Sequence, residues 1–224
     1  MLTARSQAPE LMDADDLAPP IYAAVLADLA RINTITRARP PTLRWLAQAA
    51  RDKRSFTLID IGFGHGDMLR AIAKWANGAS KQAELRGYDL NPKSAAVAAA
   101  ASCGLPIEFV TGDAAEAKTP DFIVSSLVAH HMNDEELVGF LRWMDRTAKC
   151  GWLVNDLHRH PIAHHGFRAL SAVLRLHPIV RHDGALSVCR AFTRSEWKRL
   201  LRVAGVAADI HWHFPFRYTV ASRR

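Results

Sequence analysis

Leu58-Ile59-Asp60-Ile61-Gly62-Phe63-Gly64-His65-Gly66-Asp67 is an apolar run that ends in three alternating glycines and an acid, and its reading decides the fold. Phe56 to Ile61 is β-branched and apolar enough to form a strand buried on both faces. Beyond the glycines, Met68, Leu69, Ile72, Ala73 and Ala76 recur at helical spacing. A strand, a glycine turn and a helix in that order make a nucleotide-type cofactor loop. Glycine suits it because the turn can demand positive φ and because a ligand must approach the backbone closely. The dinucleotide pattern G-x-G-x-x-G/A is not met, since Asp67 stands where its last small residue belongs, and an acid at the mouth of a phosphate site repels the ligand. A Walker-type loop is excluded because no Gly-Lys-Ser/Thr follows.

Working outward, Pro19-Pro20 opens a helix with Ile21, Val25, Leu26, Leu29 and Ile32 on one face, and Pro40-Pro41 opens another with Leu43, Trp45, Leu46 and Ala49. Both need a surface to cover, either the roof of a ligand site or the flank of a sheet. After the loop helix, which Asn77-Gly78 stops, strands are expected at Ala83 to Asp89, Ile107 to Val110, Asp121 to Leu127 and Trp152 to Leu157. Helices alternate with them, one started by Asn91-Pro92 and one by the capping box Asn133/Glu136, with Leu137, Phe140, Leu141 and Met144 as its stripe. Strict alternation implies an α/β fold with a mostly parallel sheet and helices on both faces. Right-handed crossovers then place the strand C-termini, and the ligand, along one edge.

The pattern breaks at His158. Residues 158–192 hold His158, His160, His164 and His165, an amphipathic stretch through Phe167, Leu170 and Leu174, and a turn-like Arg181-His182-Asp183-Gly184. A second capping box, Thr193/Glu196, starts a helix carrying Trp197, Leu200 and Leu201, and Ala208 to His213, Pro215 and Arg217 to Ser222 read as a terminal hairpin. The expected organisation is one domain: an N-terminal helical cap (1–55), a cofactor-binding core (56–157), a substrate lid (158–192) and a C-terminal helix and hairpin (193–224).

Composition narrows the setting. Apolar residues are 49% and charged ones 23%, as in ordinary soluble globular proteins, and the net charge of +7 admits nucleic acid or anionic substrates as well as a merely solvated basic surface. Cys103, Cys150 and Cys189 are odd in number and form no C-x-x-C pair, so neither a disulfide framework nor a zinc site is expected, and a reducing, cytoplasmic location follows. The first residues carry no apolar signal-peptide core, and no run approaches a membrane span.

Two further acids fall at strand ends. Asp89 closes the second strand, where an acid accepts hydrogen bonds from ribose hydroxyls, and Gly112-Asp113 follows the third. Taken with these acids, Asp60-Ile61-Gly62-Phe63-Gly64-His65-Gly66 resembles motif I, D/E-x-G-x-G-x-G, of class I S-adenosylmethionine-dependent methyltransferases. The terminal hairpin is similar to theirs, and Ser125-Ser126-Leu127-Val128-Ala129-His130-His131-Met132 resembles the stretch of the ubiquinone and menaquinone biosynthesis type. The resemblance spans about residues 56 to 222. It implies a Rossmann-like seven-stranded sheet with its last strand antiparallel, S-adenosyl-L-methionine as cofactor, and contacts from Asp60, Gly62, Gly64, Gly66, Asp89, Leu90, Asp113, Ala114 and Ser126. A cationic sulfonium and ammonium in place of phosphates would make the acids favourable.

The reading assigns His131 and His182 as candidate catalytic residues, His131 as base or substrate contact and His182, beside Asp183, as a lid contact or base. Asn155-Asp156 would line the cleft, and Arg159, Arg181 and Arg190 would hold an anionic substrate group. The His cluster lacks a recognised ligand spacing, so no metal is expected. The expected activity is methylation, chiefly of oxygen, of a hydrophobic small molecule such as a phenolic, polyketide or quinone-type acceptor, with a homodimer as an open option. A nucleic-acid methyltransferase is the rival, disfavoured because the Asn/Asp-Pro-Pro-Tyr/Phe tetrapeptide is replaced by Ser126-Leu127-Val128-Ala129-His130. A non-catalytic cofactor-binding partner subunit is the third reading.

Overall fold

The computed structural model describes residues 2–14, 16–114 and 119–224. Seven strands form one sheet in the order β3-β2-β1-β4-β5-β7-β6. They are β1 (Ser55–Ile61), β2 (Gln82–Asp89), β3 (Ile107–Thr111), β4 (Phe122–Ser126), β5 (Gly151–Leu157), β6 (Asp209–His213) and β7 (Arg217–Arg223). The first five pair in parallel, whereas β7 lies antiparallel to both β5 and β6, as expected of the terminal hairpin. The strand order reverses between β1 and β4, which opens a crevice at their carboxyl ends where open α/β sheets bind ligands.

The apolar periods explain the two faces. On one, α5 (Asp134–Thr147) and α8 (Arg194–Ala204) bury Leu137, Leu141, Met144, Trp197 and Leu200 against Ile123, Trp152 and Val154. Both helices begin with the expected capping boxes, Asn133 with Glu136 and Thr193 with Glu196. On the other face, α2 (Arg39–Ala49), α3 (Asp67–Gly78) and the strands share a core of Leu46, Leu69, Ile72, Phe56, Phe122 and Leu153. α4 (Pro92–Ala101) opens on Asn91, whose side chain accepts from the Lys93 N–H.

The N-terminal helices divide the tasks left open by sequence. α2 packs on the sheet flank, with Trp45 edge-on to Phe122 at 5.9 Å. α1 (Pro19–Ile35) covers the ligand edge and meets α7 (Pro178–Arg190) through Val25, Ile32, Leu176 and Val180. Tyr22 is buried in α1, while Ile21, expected on the apolar face, is 41% exposed.

The expected turn at Arg181-His182-Asp183-Gly184 is instead the middle of α7. Pro178 follows an N-cap, His177, whose ring accepts from the Ile179 N–H, so the helix starts three residues before the supposed turn. Asp183 and Gly184, which look like turn formers, serve contacts between elements. The Asp183 carboxylate accepts from the Leu11 and Met12 N–H groups at 3.0 and 2.9 Å. Gly184 lets α6 (Pro161–Val173) approach, since a Cβ there would collide with the Phe167 ring.

Candidate active site

A cavity of about 790 Å³ lies along the carboxyl ends of β1, β2, β4 and β5, closed over by α1, α6 and α7. One end is the glycine loop. Gly62, Gly64, Asp60, Asp89, Leu90, Asp113, Ala114 and Ser126, all expected at the cofactor, line the wall. Gly66 does not. With φ 72 it is the left-handed N-cap of α3, and its α-carbon faces Phe109, whose ring would lie 2.8 Å from an added Cβ. It therefore serves loop geometry and packing.

Asp89 is fixed by its own loop. Its two oxygens accept from Gly64 N and Asn91 N, each at 2.9 Å, while burial outweighs these donors and raises its carboxyl above the usual range. Tyr22 reaches over this end from α1, with its hydroxyl 2.8 Å from Ser94 Oγ and burial pushing its pKa up to about 12. Leu90, 77% exposed, forms the rim.

Among the described residues, two buried ionisable side chains that line the cavity have polar atoms without a hydrogen-bond partner. Asp60 is 1% exposed, neither carboxylate oxygen has a hydrogen bond, and burial, then Asp67 and Asp89, raises its pKa well above normal. Arg217, at the start of β7, is 2% exposed; Nε and Nη1 have no partner, and Nη2 only reaches Thr36 Oγ1 at 3.4 Å. Burial, partly offset by the charges of Asp156 and Asp67, lowers its pKa to about 10, which leaves it cationic at neutral pH. Unpaired buried charges are costly, so both sites fit charged groups of a ligand. Asp67, by contrast, is ion-paired with Arg39 at 2.8 Å. Its charge is matched within the protein, so the orphaned Asp60 is the acid that disfavours a phosphate ligand.

The other end is built on His130 and His131, in a 3-10 turn directly after β4. His130 is 3% exposed; its backbone N–H and Nδ1 donate to Asp156 at 2.8 and 2.7 Å. Burial opposes the charge on Asp156, yet His130 and these donors outweigh it and hold the carboxyl below its usual range. Glu10 enters from the N-terminal segment, with Oε1 accepting from Ser187 Oγ at 2.7 Å and the two carboxylate oxygens each 3.8 Å from one His Nε2. Burial raises its pKa. Asp13 lies 3.5 Å from His131 Nδ1, and that contact lowers its pKa. Phe140, Trp143, Ile162, Phe167 and Leu170 add apolar surface to the cavity lining.

Residues 58–151 match the model of a methyltransferase domain. The seven-stranded sheet has the fold of the class I methyltransferases. No curated protein matches the chain by sequence. Among solved structures it is similar to the magnesium protoporphyrin IX methyltransferase of Synechocystis with bound S-adenosylhomocysteine, at 17% identity and a TM-score of 0.56 over 84% of this chain and 83% of that one. Human N-acetylserotonin methyltransferase in complex with S-adenosylmethionine gives 16% and 0.65, over 99% of this chain and 63% of that one. The plantazolicin methyltransferase BpumL, with a monoazolic substrate analog and S-adenosylhomocysteine, gives 14% and 0.63, over 92% and 96%.

Several expected side chains are not brought to the cavity. His182 lies outside the cavity wall with a 55% exposed side chain, and its Nδ1 donates to Asp183 at 2.8 Å. Helical phase is the reason, because Val180, Asp183 and Gly184 face inward and leave Arg181 and His182 outward. Arg190 donates to the backbone oxygens of Ala8, His130 and His131. Arg159 binds Leu2 O, Ala191 O and Glu196. Both arginines brace the N-terminal segment. Asn155 donates to Ala38 O and Thr42 Oγ1 and so fastens the α1–α2 turn to the sheet. Sequence reasoning missed Glu10, Asp13, Arg217 and the pairing of His130 with Asp156. Only the adjacency of His130 to the expected His131 was a signal; the rest come from segments distant in sequence.

Proposed function

We propose that this methyltransferase binds S-adenosylmethionine at the glycine-loop end of the cavity and transfers its methyl group to a hydroxyl oxygen of a hydrophobic small molecule held at the histidine end. The observation that carries the reading is one cavity whose lining includes the glycine loop with Asp60 and Asp89, the buried Arg217, apolar side chains and the His130/His131 cluster. The cofactor fits the residues: Asp60 suits its ammonium, Arg217 its carboxylate, Asp89 its ribose hydroxyls, and Asp113 with Ala114 its adenine. When bound it supplies an electrophilic methyl on sulfur. The protein contributes orientation, exclusion of water by α1, α6 and α7, and a site that draws the acceptor's proton toward the imidazole and carboxylate groups of His131 and Asp13.

An apolar lining with Phe140, Trp143 and Phe167 suits a phenolic, polyketide or quinone-type acceptor, and the similar structures include enzymes named for a porphyrin and for N-acetylserotonin. The nucleic-acid alternative is disfavoured by the cover of α1, α6 and α7, since a flipped base needs an approach for its strand. Calorimetry should detect S-adenosylhomocysteine binding, and labelled S-adenosylmethionine with a panel of alkyl phenols should give methyl ethers. His131→Ala should lower turnover about 100-fold or more while cofactor affinity stays. Absence of cofactor binding by the wild type would overturn the reading.

A further inference from the structure

We propose that Glu10, His130 and His131 form a binding site for a divalent transition-metal ion of the zinc class. One carboxylate oxygen and the two imidazole nitrogens lie within 4.8 Å of one another. Ligands about 2.0–2.2 Å from a tetrahedral ion stand roughly 3.3–3.6 Å apart, so the cluster closes on an ion with shifts of about 1 Å or less.

The surroundings are those a metal site needs. Asp156 holds His130 Nδ1 at 2.7 Å, which fixes the tautomer and turns the Nε2 lone pair toward Glu10. Asp13 faces His131 Nδ1, and Ser187 donates to Glu10 Oε1. Arg5 and Arg190 pin the backbone oxygen of His130 at 3.3 and 3.2 Å, which holds the turn in place. Two imidazoles in the donor set favour a zinc-class ion over magnesium or calcium, which prefer oxygen. Three protein ligands leave a fourth position toward the cavity, as in catalytic zinc sites.

This inference deepens the proposed function and rests on reading the histidine end as the acceptor end. An acceptor hydroxyl at the fourth position would release its proton to solvent water that reaches the cavity. The resulting oxyanion forms the new O–CH3 bond as the S–CH3 bond breaks and its electron pair returns to sulfur. The ion's role is to lower the hydroxyl's proton affinity.

The test uses the full chain, treated with chelator and free of cofactor. Equilibrium dialysis against Zn2+ should give one ion per chain, and Co2+ should give visible absorption bands of a low-coordinate site. Glu10→Gln and His131→Ala should each weaken zinc binding by more than about 100-fold, beyond the 10–100-fold typical of changes to residues that only orient a ligand. His211→Ala, on the exposed face of β6, should leave it intact. X-ray absorption of the zinc-loaded wild type should show two imidazoles, a readout independent of any variant's folding. Sub-stoichiometric zinc, or binding that survives both variants, or a zinc spectrum without imidazole, overturns the site. S-adenosylhomocysteine binding on the same preparations separates the claims: cofactor binding without zinc overturns the metal site alone, and zinc without cofactor binding overturns the cofactor reading.

Discussion

Replacing Arg217 by Met tests the cofactor pose most sharply. Its guanidinium is 2% exposed, and Nε and Nη1 lack partners. The fall in pKa from 12.5 to about 10 corresponds to roughly 3 kcal/mol by which burial disfavours the charged form. An anion beside it recovers part of that, and hydrogen bonds to charged groups contribute about 1.5–3 kcal/mol, a factor of roughly 10–150 in affinity. Titration calorimetry on two ligands isolates the effect, because S-adenosylhomocysteine carries the amino-acid carboxylate and 5′-methylthioadenosine lacks it. Arg217→Met should lose about 10–150-fold for the first and nothing for the second. The ligand-free variant should also melt higher, since a desolvated charge has been replaced by an apolar chain of similar length. Equal losses for both ligands, or an unchanged affinity for S-adenosylhomocysteine, would refute the assignment of Arg217 to the carboxylate.

Asp60→Asn should raise the melting temperature of the ligand-free protein at neutral pH. An acid whose folded pKa is raised stabilises the fold fully below its unfolded pKa and loses that contribution as pH rises toward the folded value, so the gain should vanish below about pH 4. Weaker S-adenosylhomocysteine binding with unchanged methylthioadenosine binding should accompany it. Gly184→Ala pushes a methyl into the Phe167 ring and should cost about 1–3 kcal/mol in urea unfolding, with Phe167→Leu restoring most of it. His182→Ala should leave turnover within about twofold of wild type, because an exposed side chain outside the cavity contributes little; a large loss would return the residue to the site.

The sequence by itself determined the α/β alternation, the parallel sheet, the terminal hairpin and the position of the glycine loop. These depend on apolar period, capping boxes and turn residues, which act over a few neighbours in the chain. Eight of the nine expected cofactor residues line the cavity because each sits at a strand end, and strand ends are legible. Gly66 lies off the cavity lining, and its positive φ serves the packed cap of α3. Asp183 and Gly184 were misread as a turn because their composition is that of a turn, while their partners, Leu11, Met12 and Phe167, lie far along the chain.

Only the tertiary structure decided the chemistry of the histidine end. Glu10 reaches His130 and His131 across about 120 residues, Asp156 joins from β5, and Arg217 arrives on a strand inserted last into the sheet. No local pattern encodes such a meeting, because the charges are held by burial and by backbone contacts from other segments. The glycine loop is legible in the chain itself, whereas the histidine cluster exists only because the N-terminal segment folds onto β4 and α7.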